Sequence, residues 1–106
     1  MSTKKTNNSK IIRKIRRIRK ERLTFGKMIE SIRKADNITQ VELAAKLKIS
    51  RAHLCDLEKG RRTITVARAI QLSNILGYST HQFVAKALED ITSAAGLDVR
   101  ITLEAA

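Results

Sequence analysis

The chain has 106 residues, enough for one small domain with tails and too few for two independent cores. Aromatic residues make up 3% of it and proline is absent, so the core is expected to be aliphatic and built from packed helices. Its 22 basic residues outweigh 10 acidic ones, for a formal net charge of +12; this favours a polyanionic partner, nucleic acid or an acidic membrane surface, without choosing between them. Cys55 is the single cysteine, which excludes an intrachain disulfide and a cysteine cluster for zinc. No apolar run approaches the ~18–20 residues of a membrane span, and the N-terminus lacks the pattern of a secretory signal, so a cytoplasmic location is expected.

Residues 1–22 carry ten basic residues and one acid, Glu21, for a local charge of +9. The opening polar run through Ser9 has the composition of a disordered segment. Ile11, Ile12, Ile15 and Ile18 nevertheless fall on one helical stripe. Three readings stay open for that stripe: membrane contact, packing on a protein surface, or a helix that forms when a polyanion neutralises its charge. The segment is expected to be a basic arm, followed by a domain over 23–92 and a C-terminal piece over 93–106.

Thr24 is the expected N-cap of the first helix, in which Phe25, Met28, Ile29 and Ile32 form an apolar stripe ending near Ala35. Asp36 and Asn37 make a turn, and Ile38 precedes a second cap, Thr39, with Glu42 three residues on as a capping box. Val41, Leu43, Ala44 and Leu47 are the apolar positions of the second helix. After a break at Lys48-Ile49-Ser50, Ser50 caps a third, with Leu54 and Leu57 inward and Gly60 as its stop. Two short capped helices joined by so tight a turn describe a helix-turn-helix.

Arg61 to Ile64 reads as a basic loop. Thr65 then caps a fourth helix, with Ala69, Ile70, Leu72, Ile75 and Leu76 inward and Gly77 at its end. Ser79 or Thr80 starts a fifth, carrying Phe83, Val84, Ala87, Leu88 and Ile91. The period then changes from helical to twofold: Leu97, Val99, Ile101 and Leu103 alternate with polar residues, the pattern of a strand with one buried face. With no second strand in the chain, pairing with its copy in a homodimer is the economical expectation.

Catalysis is not expected. His53 and Cys55 are turned about 200° apart on a helix and cannot act as a pair. His81 stands alone near a helix start, and no glycine-rich phosphate loop or His-x-x-x-His motif occurs. No cofactor and no metal site are expected either.

From Leu23 to Ile91 the chain resembles the lambda-repressor-like helix-turn-helix regulators of the Xre type. Three features carry the likeness together: Thr-Gln-x-Glu-Leu-Ala from Thr39, an aliphatic residue with Ser50 before the third helix, and Leu-x-x-Leu-Glu-x-Gly ending at Gly60. The resemblance implies an all-α, five-helix DNA-binding domain, here with the short C-terminal β-strand added. It implies base readout by Ser50, Arg51, Ala52 and Asp56, with Arg51 suited to guanine and Asp56 either accepting from cytosine or orienting Arg51 or a basic neighbour. Phosphate contacts fall to Gln40, His53, Lys59, Arg61 and Arg62. Arg33 and Glu58 take the positions of a structural ion pair. Lys48 departs from the pattern, which usually has glycine there, and implies ~1–2 kcal/mol of backbone strain.

Gly77-Tyr78-Ser79, Phe83-Val84 and the terminal strand also resemble Xre-type antitoxins of toxin–antitoxin modules, which would add a toxin protein as partner. The expected function is a dimeric repressor reading a palindromic operator in double-stranded DNA with residues 51–59. The alternative is a protein-interaction module that neutralises a toxin or holds another partner and binds nucleic acid without sequence preference.

Overall fold

Among the described residues, every helix begins at a hydroxyl side chain. The computed structural model describes residues 23–106; the basic arm and its isoleucine stripe lie outside them. Helices α1 (Phe25–Ala35), α2 (Gln40–Leu47), α3 (Arg51–Glu58), α4 (Val66–Leu76) and α5 (Thr80–Ala94) follow Thr24, Thr39, Ser50, Thr65 and Ser79. Each cap residue has extended backbone and accepts the N–H three residues on, satisfying a donor that the helix itself cannot. Such a cap stabilises by about 1 kcal/mol. At Thr39 the box closes in both directions, with Glu42 Oε1 accepting from Thr39 N at 3.1 Å.

The helices bury one continuous core, in which Phe25, Ile29, Leu43, Leu47, Leu54, Leu72, Phe83 and Ala87 meet. Leu43 and Leu54 are fully enclosed, and burying a leucine to that degree stabilises by roughly 1.5–3 kcal/mol. Phe25 meets Phe83 edge to face at 5.8 Å, and Tyr78 stacks on the same ring at 5.7 Å. These contacts fix the start of α1 against α5. Asp90 Oδ2 on α5 strengthens the join by accepting from Phe25 N at 2.7 Å, a carboxylate placed at the positive end of α1. Between α4 and α5, the fully buried Ser73 Oγ donates to Ile70 O and shares a hydrogen bond with Thr80 Oγ1, each at 2.7 Å.

Three apolar assignments are corrected. Val41 is 61% exposed and Ile70 40% exposed, although both fall at helical spacing from buried neighbours. Each helix buries a stripe narrower than its full apolar set. Ile64, read as part of a basic loop, is instead a core residue, 7% exposed.

The fifth helix continues to Ala94, beyond the boundary at 92, and Gly96 turns the chain at φ +99°. Residues 97–106 form neither helix nor strand within the chain, and no strand is found among the described residues. A single extended segment has no ladder to join. The twofold alternation is present in burial: Val99, Ile101 and Leu103 are half-buried between exposed neighbours, whereas Leu97 is 58% exposed. The segment is tied back to α5 by Ile101 N, which donates to Glu89 Oε2 at 2.8 Å, and by Ser93 Oγ, which donates to Asp98 Oδ1 at 2.8 Å.

Candidate nucleic-acid interface

The turn from α2 to α3 is made by Lys48, which closes α2 in the left-handed conformation at φ 57° and ψ 42°. Its N–H bonds Ala45 O, while Ile49 N reaches back to Ala44 O at 3.0 Å. This is the Schellman arrangement, which uses two carbonyls that α2 leaves open. Ile49 then packs on the core and Ser50 caps α3, so the reversal takes three residues. Arg68, in the first turn of α4, supports the same corner by donating to Leu47 O at 3.3 Å and to Gln71 Oε1 at 2.7 Å.

Helix α3 is seated on one side only. Leu54, Leu57 and Glu58 are buried, whereas Arg51, Ala52 and Lys59 are exposed and His53, Cys55 and Asp56 are half-buried. Glu58 is the seat. One of its oxygens accepts from Arg33 Nε at 2.7 Å; the other accepts from a second Arg33 nitrogen at 3.1 Å and from Gln40 Nε2 at 2.9 Å. Arg33 also donates to Ile38 O at 2.9 Å. The hydrogen bond to Glu58 raises the Arg33 pKa above its ordinary value. One carboxylate thus binds α1, α2 and α3 into a rigid unit. Gln40, expected to reach a phosphate, spends a donor inward on this hub.

The approach of α1 to α3 depends on a glycine that sequence reasoning passed over. A Cβ on Gly26 would stand 2.3 Å from Leu57 O and 2.6 Å from Glu58 O, so only hydrogen fits against the last turn of α3. A glycine inside an amphipathic helix is the one available signal, and it gives no hint of which element comes close.

Beyond α3, Gly60 takes φ +76°, and the N–H groups of Arg61 and Arg62 both donate to Asp56 O. Asp56 Oδ1 accepts from Arg61 Nε at 2.9 Å, and this bond raises the Arg61 pKa. Asp56 is therefore engaged with Arg61, leaving Arg51 without that orienting partner. Partial burial, then the charges of Arg62 and Arg68, push the His53 pKa down, while Asp56 opposes them. Arg68 belongs to this charged surface although it lies outside the helix-turn-helix motif.

The electrostatic balance follows. From residue 46 to residue 68 the chain has seven cations, Lys46, Lys48, Arg51, Lys59, Arg61, Arg62 and Arg68, against two acids, Asp56 and Glu58. Both acids are already paired with arginine. The exposed side of α3 and the loop that follows therefore present Ser50, Arg51, Ala52, Lys59 and Arg62 in a net positive setting. Among the described residues no three His, Cys, Asp or Glu side chains group as metal ligands, and no helix is long and apolar enough to cross a membrane.

Residues 29–83, a little over half the chain, match the family described as Helix-turn-helix. Over 66 residues the chain is 38% identical to an immunity repressor protein of Bacillus phage phi105, covering 55% of this chain and 46% of that one. The chain thus spans about half the length of the curated relative it matches. No solved structure gives a significant match. The paired short helices, the Glu58 hub and the family match agree, and the chain belongs to the helix-turn-helix family of Xre-type regulators.

Proposed function

We propose that this protein is a transcriptional repressor that binds a specific double-stranded DNA operator through α3. The observation that carries the reading is the one-sided seating of α3. Its inward face is locked by Leu54, Leu57 and Glu58, while Ser50, Arg51 and Ala52 stand exposed at its N-terminal end beside six further cations. A helix held in this way can enter a major groove without losing contact with its own domain. Arg51 is the base reader, a guanidinium that can bond guanine O6 and N7 together, and Ala52 suits a thymine methyl. Lys59, Arg61, Arg62 and His53 face phosphate. Gln40 approaches the backbone through the N-terminal N–H groups of α2, its side chain being held by Glu58.

The arm over residues 1–22 supplies affinity that does not depend on sequence. The tail over 97–104 joins two copies, whose recognition helices reach half-sites about one helical turn, ~34 Å, or a simple multiple apart on a palindrome. Of the two family resemblances in the sequence, the phage type of repressor is preferred to the antitoxin, because the relative identical at 38% of aligned positions is named an immunity repressor.

Selection of bound duplexes from a random pool, followed by competition gel shifts at ~150 mM salt, tests the reading. Recovery of a defined palindrome supports it. Equal affinity for every duplex removes it and leaves an electrostatic binder. Arg51→Ala is expected to cost ~1–3 kcal/mol and to relax preference at one base pair, whereas removing residues 1–20 weakens binding to all sequences and flattens the salt slope. Loss of specificity on removing the arm, with none in Arg51→Ala, would transfer readout to the arm. Deleting residues 97–106 is expected to give a monomer in sedimentation, and an unchanged dimer would place the interface elsewhere.

A further inference from the structure

We propose that Asp56 is a positioning residue for DNA binding: it holds the Arg61 guanidinium as a fixed, outward-facing fork beside α3. This rests on the DNA-binding reading above and adds a residue that works through its neighbour. Arg61 is tied to Asp56 twice. Its backbone N–H donates to Asp56 O at 2.9 Å as part of the turn that closes α3, and its side-chain Nε donates to Asp56 Oδ1, also at 2.9 Å. A third contact runs from Arg61 Nη2 to Cys55 Sγ at 3.7 Å.

These contacts use the lateral edge of the guanidinium, Nε and one side of Nη2. The end-on edge, Nη1 with the second hydrogen of Nη2, meets no acceptor among the described residues, and the side chain is 60% exposed. A guanidinium has two bidentate edges; here one faces the protein and the other faces outward, in the geometry that suits a pair of oxygen or nitrogen acceptors. On DNA such a pair is supplied by two phosphate oxygens or by guanine O6 and N7. A loop arginine ordinarily loses side-chain freedom when it binds. Asp56 holds Arg61 in place beforehand.

The inference gives Asp56 an effect opposite in sign to its charge. An acid beside a DNA-facing helix repels the backbone, so charge alone predicts that Asp56→Asn tightens binding to every duplex. Positioning predicts that this substitution weakens the operator complex, which needs the fork in one place, while binding to unrelated duplexes stays equal or tightens.

The test measures affinities of the full chain for its selected operator and for an unrelated duplex, in the wild type and in Asp56→Asn, Arg61→Ala, Arg61→Lys and the Asp56→Asn/Arg61→Ala pair. Circular dichroism melting of each variant accompanies the measurements. Expected are a loss of about tenfold or more in operator affinity for Asp56→Asn and for Arg61→Ala, and a double variant no weaker than Arg61→Ala alone, the mark of two residues acting as one unit. Arg61→Lys keeps the charge without the fork and is not expected to restore affinity. A change in salt slope of about one unit in Arg61→Ala identifies phosphate as the acceptor, and a relaxed preference at one base pair identifies guanine. Tighter operator binding by Asp56→Asn, or independent, additive effects of the two substitutions, overturns the proposal. A wild-type chain that shows no preference among duplexes refutes the DNA-specific reading itself, a result separate from any effect of Asp56.

Discussion

Replacing Gly26 by alanine probes how closely α1 must approach α3. The new methyl would lie 2.3 Å from Leu57 O, 2.6 Å from Glu58 O and 2.9 Å from Glu58 C, all backbone atoms. A comfortable carbon–oxygen contact begins at about 3.3 Å, so α1 and the last turn of α3 must separate by about 1 Å. Overpacking of this kind costs about 1–3 kcal/mol, and the upper end applies because a backbone carbonyl cannot rotate aside as a side chain can. Alanine returns at most ~1 kcal/mol of helix propensity. The net loss is about 2 kcal/mol, which in a domain of this size lowers the melting temperature by roughly 8–16 °C. Urea denaturation and thermal circular dichroism measure it, with Ser31→Ala, on the exposed side of the same helix, as a control expected within ~0.5 kcal/mol of wild type. An alanine variant as stable as the wild type would show that α1 does not depend on that close approach.

Glu58→Ala leaves Arg33 nearly enclosed without its carboxylate, and about 3 kcal/mol of stability is expected to disappear in urea titration; a loss below 1 kcal/mol would mean that water readily replaces the pair. Lys48→Gly relieves a left-handed residue at φ 57°, but frees the unfolded chain as well, so a gain of only ~0.5–1 kcal/mol is expected. A destabilised glycine variant would refute the strain argument. The pH dependence of stability has a definite sign. His53 is pushed below its ordinary pKa of 6.5 by burial and by Arg62 and Arg68, so its neutral form is the stabilising one, and stability is lost as pH falls through the depressed value. Glu42 is held below its ordinary 4.5, chiefly by the backbone N–H of Thr39, so its contribution is present above that value and fades in stronger acid. Urea midpoints measured from pH 8 to pH 3 are expected to fall in both ranges, with a smaller fall near neutral pH in His53→Gln and a smaller fall in acid in Glu42→Gln.

The sequence was most informative where the chemistry is local. A cap is a contact between a side chain and a backbone N–H three residues away, so Thr24, Thr39, Ser50 and Thr65 are legible from spacing alone, while the fifth helix start stays open between Ser79 and Thr80 until the structure shows Ser79 as the cap. Apolar periodicity located the helices but overestimated their buried width. Whether Val41 or Ile70 is covered depends on how closely neighbouring helices approach, and spacing within one helix does not contain that distance. The same limit hid Gly26, and it hid Asp90, which caps α1 from 65 residues away. Arg33 and Glu58 were paired by resemblance, since 25 residues separate them and nothing local joins them. Gln40 shows the reverse case. Its place at a helix start suggested a donor for phosphate, yet the nearest acceptor lies within its own domain.

The two sides of α3 bear on how such a protein can change over time. Leu54, Leu57 and Glu58 hold the helix in the domain, while Arg51, Ala52 and Lys59 stand outside and take no part in that hold. Substitutions at exposed positions usually alter stability by no more than ~0.5 kcal/mol. The outward set can therefore be rewritten, residue by residue, in a chain that still folds. If the outward set reads DNA as proposed, recognition and folding are separable traits along one short helix and its C-cap.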